Sequence, residues 1–352
     1  MPPTDPHVKC EKHGALGLLT LDRPQALNAL THGMIAAITA QLQAWAHDDT
    51  VKTVAIRGAG ERAFCAGGDI RAVQEAVVSG NSNAGAAFLR DEYHMNALIH
   101  AFPKPYIALI HGVCMGGGAG LSVHGRYRLA DPTLVFAMPE TAIGFIPDVG
   151  SSYFLSRLPD QIGLYLGLTA TPIGLGDALE SGLVTHAVKR ENFDAVIEAL
   201  AANKDFARHI FKPKPGPLHT HYGRIAAIFS ANSVENILER LDRDGSDFAR
   251  QTRQLIRSRS PTSLKLVLRQ LHQARQMDLE QCLTMELRLA LRVVQNYDFR
   301  EGVRAALVDK DRNPNWRPSS LAAVGDLSPY FASLEGEDSF EFNANRRNDA
   351  NN

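Results

Sequence analysis

Residues 106–118 read Tyr106-Ile107-Ala108-Leu109-Ile110-His111-Gly112-Val113-Cys114-Met115-Gly116-Gly117-Gly118. The apolar run at the start predicts a buried strand, and the glycines at the end predict a tight turn that opens a helix. The same order occurs earlier, where a predicted strand at 51–57 leads through the glycine-rich stretch 58–68 into a helix that begins near Asp69. Two strand-to-helix crossovers of this kind favour a right-handed α/β fold over a β-sandwich or a helical bundle.

Further predicted elements extend this pattern in both directions. They are a first strand at 16–21, helices at 28–47 and 84–101, and short strands at 126–130 and 134–137. From 160 to 313 the chain is predicted to be mostly helical, with a break at Pro213, Pro215 and Pro217. This second half has the pattern of a cap or an oligomerisation element.

The bulk composition is that of an ordinary globular protein. The 352 residues are 45% hydrophobic and 21% charged with a formal net charge of -1, so no basic field exists to attract nucleic acid or a membrane. The four cysteines lack the spacing of a metal site or a disulfide framework, which predicts no bound metal and a reducing compartment. Prolines near the start interrupt any targeting segment. We therefore expect a cytoplasmic protein, or one of the mitochondrial matrix if a transit peptide has been removed.

The two glycine turns indicate a pair of hydrogen-bond donors. The backbone N–H groups of Gly68 and Gly117 each follow a predicted strand, and a thioester carbonyl under attack needs two donors for its developing negative charge. Glycine suits such a position because it tolerates positive φ and lets a ligand approach the backbone. Two packing turns without a ligand are the alternative. A nucleotide phosphate site is disfavoured, because the glycines 116–118 lack the Lys-Ser/Thr ending of a P-loop.

Three acidic residues have settings suited to proton transfer. Glu140 follows an apolar strand, Asp148 lies in a proline-containing loop, and Glu92 lies within a helix. Two carboxyl groups in an apolar cleft can be driven to different protonation states, one acting as base or nucleophile and the other as acid. A surface or ion-paired role is the alternative for each of them, and for Glu92 above all.

Three motifs together resemble the enoyl-CoA hydratase/isomerase family, also called the crotonase superfamily. They are Asp22-Arg23-Pro24-Gln25-Ala26-Leu27-Asn28-Ala29-Leu30, Ala63-Phe64-Cys65-Ala66-Gly67-Gly68-Asp69-Ile70, and His111-Gly112 followed by Met115-Gly116-Gly117-Gly118. The end of the chain, 336–352, is predicted to be a disordered tail, because residues 343–352 are rich in Asn and Arg. The resemblance implies an α/β spiral of ββα turns in residues 8–200 and a mainly helical C-terminal region in 201–335. It also implies homo-oligomers, trimers or hexamers, and a CoA thioester whose carbonyl lies between the N–H groups of Gly68 and Gly117. The further substrate contacts it implies are Ala66, Gly67, Asp69, Ile70 and Gly116.

Departures from the hydratase pattern favour one branch of this family. A hydratase has a glutamate three residues after the second oxyanion-hole glycine, where this chain has Gly120, whereas Asp148 supplies an acid on another wall. This rearrangement resembles the 3-hydroxyisobutyryl-CoA hydrolases. The resemblance implies hydrolysis of that thioester or of other short 3-hydroxyacyl-CoAs, as in valine catabolism, with no cofactor because CoA is part of the substrate. It places substrate contacts at Glu92, Gly117, Glu140 and Asp148, with Glu140 and Asp148 as the catalytic acids.

Two alternatives to a hydrolase stay open at the level of sequence. An enoyl-CoA hydratase or isomerase on the same fold is disfavoured by Gly120 and Asp148. A non-catalytic CoA-binding or RNA-binding scaffold is disfavoured by the retained acids and, for RNA, by the near-neutral charge. Attack by Glu140 itself and attack by a water that Glu140 activates are equally compatible with these residues.

Overall fold

The computed structural model describes residues 3–334, apart from the side chains of Val77 and Ser82. The strands are β1 (Val8–His13), β2 (Leu16–Leu21), β3 (Thr53–Gly58), β4 (Ala63–Cys65), β5 (Tyr106–Ile110), β6 (Val113–Met115), β7 (Tyr127–Ala130), β8 (Val135–Ala137), β9 (His186–Val188) and β10 (Ile210–Phe211). The helices are α1 (His32–Ala46), α2 (Ile70–Val78), α3 (Ser82–His100), α4 (Gly117–Val123), α5 (Ser151–Leu155), α6 (Ile162–Thr169), α7 (Leu175–Glu180), α8 (Phe193–Ala201), α9 (Tyr222–Phe229), α10 (Val234–Asp244), α11 (Asp247–Arg257), α12 (Pro261–Ala274), α13 (Leu279–Val293), α14 (Tyr297–Val303) and α15 (Ser328–Phe331).

The strands form two sheets that the chain enters alternately. One sheet has the order β1-β2-β3-β5-β7-β9-β10, and the other has the order β4-β6-β8. Neighbours from β2 to β9 in the large sheet are parallel, whereas β1 and β10 pair antiparallel at its two edges. Each turn of the chain therefore adds one strand to each sheet, as β3 with β4, β5 with β6 and β7 with β8. The predicted α/β class and its spiral of ββα turns are confirmed.

The large sheet is buried on both faces. Successive residues of a strand point to opposite faces, so Leu18 and Leu109 pack in a small cluster with Phe193 of α8. Leu19 and Ile110, one position on, belong to the main core between the sheet and the other helices. Burial on both faces explains why these strands are continuous apolar runs rather than alternating ones.

Several predicted boundaries change in the structure. Helix α1 begins at His32 rather than at 28, because Leu27 (φ 53) and Asn28 (φ 56) are left-handed and Thr31 caps the helix by accepting a hydrogen bond from the Met34 N–H. Strand β1 and the short strands β4 and β6 next to glycines were not predicted. Strands β9 and β10, which interrupt the predicted helical stretch, were not predicted either. The predicted tail at 336–352 lies outside the described residues, and the division near residue 200 stays a prediction.

The C-terminal helices close the fold on one side. Helix α13 packs against α3 and α5, and α12 packs against α5 and α6. Helix α13 begins with a capping box, in which Asp278 and Gln281 exchange side-chain to backbone hydrogen bonds. This packing places residues from the end of the chain behind the loop that carries Asp148.

Candidate active site

All of the predicted site residues line one cavity of about 570 Å³. It opens where β4 and β6 end, beside α3. The predicted residues in its wall are Ala66, Gly67, Gly68, Asp69, Ile70, Glu92, Gly116, Gly117, Glu140 and Asp148. The wall also includes C-terminal residues that sequence reasoning missed, among them Arg259, Leu307 and Arg312. The structure thus brings the predicted residues together, while the role of each stays a prediction.

The N–H groups of Gly68 and Gly117 converge on the same part of this cavity. The Leu30 N–H donates to the Gly67 carbonyl (2.8 Å) and the Asp69 N–H donates to the Leu30 carbonyl (2.8 Å), which leaves the Gly68 N–H between them unused. Gly117 is the first residue of α4, whose first N–H groups have no partner within the helix. Within residues 3–334 neither N–H donates to another protein group. A Cβ atom built on Gly117 would lie 3.0 Å from the Gly68 nitrogen, so one carbonyl oxygen can reach both donors.

Glycine is required just before each donor. Gly67 has φ 122 and Gly116 has φ 48, and both values lie in the region that L side chains rarely adopt. A Cβ on Gly116 would also lie 3.1 Å from Glu140 Oε1. The two donors therefore depend on backbone shapes that a larger residue would strain.

The first sequence motif supports the first donor from behind. The buried side chain of Asn28 donates from Nδ2 to the carbonyls of Ala59 (3.0 Å) and Ala63 (2.9 Å), and its Oδ1 accepts from the Arg23 N–H (3.0 Å). Arg23 in turn forms an ion pair with Asp69 at 3.0 Å. These contacts fix the loop that carries Gly68. The Asp69 carboxylate therefore has a partner within the protein, Arg23, although Asp69 lines the cavity.

The three predicted acids are buried rather than on the surface. Glu92 on α3, Glu140 at the start of a 3-10 turn and Asp148 in the loop before α5 are only 3%, 6% and 6% exposed. Among the residues that the structure describes, Glu92 Oε1 and Glu140 Oε2 have no hydrogen-bond partner. Buried carboxyl oxygens without partners are costly, and they mark a place where a ligand or a catalytic proton is expected. This burial argues against a surface role for any of the three.

Burial changes the acidity of all three groups. It raises the pKa of Glu92 well above the ordinary glutamate value, and the charge of Asp148 raises that pKa further. Burial also raises the pKa of Glu140 well above the ordinary value, again with a contribution from Asp148. For Asp148 burial raises the pKa to about 7, against the opposing hydrogen bond from Tyr93. The three carboxyl groups therefore share one cause of a raised pKa, their burial, and the charge of Asp148 acts on the other two.

The Asp148 loop has an unusual backbone and a well-defined partner. The Tyr93 hydroxyl donates to Asp148 Oδ2 at 2.7 Å, a contact that the sequence did not predict although Tyr93 adjoins Glu92. The next residue, Val149, has φ 56, a strained conformation for a β-branched residue. Gly150 follows with φ 82. The loop therefore presents Asp148 in a conformation that the surrounding structure must hold.

The position of Gly120 leaves no room for a larger side chain. A Cβ atom built there would lie 2.7 Å from Asn96 Nδ2 and 2.8 Å from the Val149 Cβ. Both distances are shorter than real Cβ contacts allow. A glutamate at this position would require the Asp148 loop or α3 to move.

Metal-binding clusters and membrane-spanning helices are both absent from the part of the chain that the structure describes. In residues 3–334, no group of three His, Cys, Asp or Glu side chains has the arrangement of a metal site. Over the same range, no helix combines the length and the apolar character that crossing a bilayer requires. Cys114, beside the second glycine turn, is buried, and burial raises the pKa of its thiol to about 12, which does not suit a nucleophile.

Comparisons with known proteins agree with this geometry. The family model for enoyl-CoA hydratase/isomerase matches residues 16–328. The 3-hydroxyisobutyryl-CoA hydrolase of Xenopus tropicalis mitochondria is 46% identical over 346 residues, which are 93% of this chain and 89% of that protein. The human mitochondrial 3-hydroxyisobutyryl-CoA hydrolase is 44% identical over 347 residues, covering 94% of this chain and 90% of that protein. A crystal structure described as a carnitinyl-CoA dehydratase from Mycobacterium thermoresistibile superposes with a TM-score of 0.91 at 38% identity, covering 96% of this chain and 99% of that chain. The chain belongs to the enoyl-CoA hydratase/isomerase family.

Proposed function

We propose that this protein is a thioester hydrolase that converts 3-hydroxyisobutyryl-CoA to the free hydroxy acid and CoA. The observation that carries the proposal is the meeting of two unused N–H donors and three buried acids in one cavity. Two relatives that align over about nine tenths of their length are named 3-hydroxyisobutyryl-CoA hydrolases. Other short 3-hydroxyacyl-CoAs are expected to react as well, because one methyl group is worth only about 1 to 3 kcal/mol of discrimination.

The two glycine donors would stabilise the negative charge that forms on the thioester oxygen. With the oxygen between the N–H groups of Gly68 and Gly117, each donor contributes roughly 3 to 4 kcal/mol to lowering the barrier. The donors belong to fixed backbone turns, so they need no rearrangement as the charge develops.

The acids would supply the nucleophile and the proton. In one path Glu140 attacks the carbonyl carbon, the carbon–sulfur bond breaks, and water then hydrolyses the resulting anhydride to the hydroxy acid and the free Glu140 carboxylate. In the other path Glu140 takes a proton from a water that attacks the carbonyl carbon, and the same bond breaks. Asp148 binds the 3-hydroxyl of the acyl group or gives a proton to the departing thiolate. Glu92 lines the acyl part of the pocket. Because Glu140 must be ionised to act, its raised pKa predicts a rate that increases with pH above the usual range of a glutamate.

The remaining properties follow from the same assignment. The reaction needs no cofactor, since CoA is part of the substrate, and no metal. We propose a homo-oligomer, trimer or hexamer, and a place in valine catabolism, on the family resemblance. The vertebrate relatives are named as mitochondrial proteins, which supports the matrix as the compartment over the cytoplasm.

Hydration of an enoyl-CoA is the second candidate function. It is favoured by the 38% identical structure described as a carnitinyl-CoA dehydratase. It is opposed by the space around Gly120, where Asn96 and Val149 occupy the place into which a second glutamate would extend.

The test is to supply the purified protein with 3-hydroxyisobutyryl-CoA and, separately, with crotonyl-CoA. Thiol release from the first compound, lost in Glu140→Gln and kept in Glu239→Gln on the exposed face of α10, supports the hydrolase. Loss of the enoyl absorbance of crotonyl-CoA without thiol release would assign a hydratase instead. A protein that binds both compounds and transforms neither would be a scaffold.

A further inference from the structure

Glu286 is a fully buried acid that the proposed reaction does not use directly. It lies on α13, and its two carboxylate oxygens accept one backbone hydrogen bond each from the residues after Asp148. Oε2 accepts from the Gly150 N–H at 2.7 Å, and Oε1 accepts from the Ser152 N–H at 2.7 Å. Burial and the charge of Asp148 raise the pKa of Glu286 to about 8, whereas the hydrogen bonds from Ser152 and Gly150 oppose that shift because they are stronger when the acceptor is ionised. The carboxylate thus holds the loop on the C-terminal side of Asp148.

Two more buried side chains hold the same loop from other directions. Nε2 of Gln270, on α12, donates to the Pro147 carbonyl (2.7 Å) and to Ser152 Oγ (2.8 Å). The His124 ring bonds through Nε2 to the Val149 carbonyl at 2.8 Å, so that nitrogen carries the proton. Backbone groups on both sides of Asp148 are therefore fixed by side chains from separate helices.

This support matches the strain in the loop. Val149 has φ 56. A β-branched residue keeps such a conformation only where several contacts with the surrounding structure hold it there. Asp148, which precedes Val149, has the carboxyl group that lines the cavity. Gly150, which follows Val149, donates its N–H to Glu286. Without the bonds to Glu286, Val149 can relax toward an ordinary conformation, and the Asp148 carboxyl moves with it.

We propose that Glu286 is a positioning residue for the hydrolase, which keeps the Asp148 carboxyl in the cavity by holding Val149 in its left-handed conformation. This inference rests on the proposed function. Glu286 also acts through its charge, which is one of the factors that raise the pKa of Glu140. The other ionisable groups that face Glu286 or the loop it holds are Glu92 and Tyr93 of α3, Cys282 of α13, His124 after α4, Glu140 and Asp148 itself.

The test compares Glu286→Gln with Glu280→Gln, the same change at an exposed position of the same helix. Glutamine keeps the volume of glutamate but can accept only one of the two N–H bonds, and its amide N–H₂ group then faces the other donor. We expect kcat for 3-hydroxyisobutyryl-CoA to fall on the order of 10- to 100-fold, the usual effect of displacing a catalytic group by about 1 Å. KM should stay near the parent value if Asp148 protonates the thiolate, because the donors and the rest of the pocket are intact, and should rise as well if Asp148 binds the 3-hydroxyl. Glu280→Gln should keep both constants.

The pH profile separates positioning from a loss of structure. Displacing the Asp148 carboxyl relieves the burial that raises its pKa to about 7, so the limb of the pH–rate profile that reports Asp148 should move to lower pH in Glu286→Gln, which simple destabilisation would not cause. If Glu286→Gln does not fold, Glu286→Asp, which keeps the carboxyl group but shortens the side chain, takes its place: lowered kcat in the folded variant supports the inference, and unchanged kcat overturns it. Folded Glu286→Gln with the parent kcat also overturns it. A parent protein that releases no thiol would instead refute the proposed function.

Discussion

Replacing Gly117 by alanine tests the oxyanion hole with a single methyl group. The new Cβ would lie 2.5 Å from Glu92 Oε1 and 3.0 Å from the Gly68 nitrogen. Ordinary van der Waals contact begins at 3.4 Å, so the Glu92 oxygen must move by 3.4 minus 2.5, or 0.9 Å. The Gly68 nitrogen is backbone and cannot move as easily, so the methyl stays beside the N–H that the thioester oxygen needs.

The expected cost is at least that of one lost donor. We predict that Gly117→Ala lowers kcat/KM for thiol release about 100- to 1,000-fold, since one oxyanion-hole donor is worth roughly 3 to 4 kcal/mol. Overpacking at this site should cost about 1 to 3 kcal/mol of stability as well, which thermal unfolding will report.

A matched glycine on the surface controls for the change of residue. Gly223 is exposed near the start of α9, and a Cβ there meets nothing within 4 Å. Gly223→Ala should therefore keep full activity and gain roughly 0.5 to 1 kcal/mol of stability, as alanine does within a helix. If Gly117→Ala keeps more than a tenth of the parent kcat/KM, the thioester oxygen does not bind between these two donors.

Two further predictions concern the buried acids. Tyr93→Phe removes the hydrogen bond that lowers the pKa of Asp148, so the limb of the pH–rate profile that reports Asp148, near pH 7 in the parent, should move to higher pH; an unmoved limb would contradict the contact. Glu92→Gln should stabilise the protein by about 1 kcal/mol at pH 8, measured by urea unfolding, and by less at pH 5. The sign follows because burial raises the folded-state pKa of Glu92, so stability falls as pH rises from 4.5 through that pKa. Equal stability of parent and variant at pH 8 would refute it.

The sequence predicted the parts of the site that depend on local signals. The glycine turns at Gly68 and Gly117 follow apolar strands, and turn chemistry of this kind is visible within a few residues. Glu140 follows a different strand, β8, and Asp148 lies in the loop before α5, so only the family resemblance implied that these acids meet the glycine turns. The all-buried strand Tyr106–Ile110 was predicted without error, because a continuous apolar run needs no knowledge of its neighbours.

Contacts between residues far apart in the sequence could not be predicted from local sequence patterns. Glu286 is 136 positions from Gly150, and nothing near it in the chain distinguishes it from a surface acid of an amphipathic helix. The predicted start of α1 was wrong because the motif around Asn28 has apolar residues at helical spacing. In the structure the buried side chain of Asn28 instead donates hydrogen bonds to the carbonyls of Ala59 and Ala63. In both places the structure is determined by hydrogen bonds between residues far apart in the sequence.

The cavity wall contains residues from both ends of the chain, and this affects the order in which the cavity forms during synthesis. Residues 66–70 and residues 305–314 face each other across the same space, although more than half of the chain separates them. A ribosome releases the glycine turns long before Leu307 and Arg312, so the nascent chain presents Glu92, Glu140 and Asp148 to water while one wall is still missing. Closing that wall is a contact of long sequence separation, which forms slowly. The cavity is therefore completed only late in synthesis, when residues 305–314 join its wall.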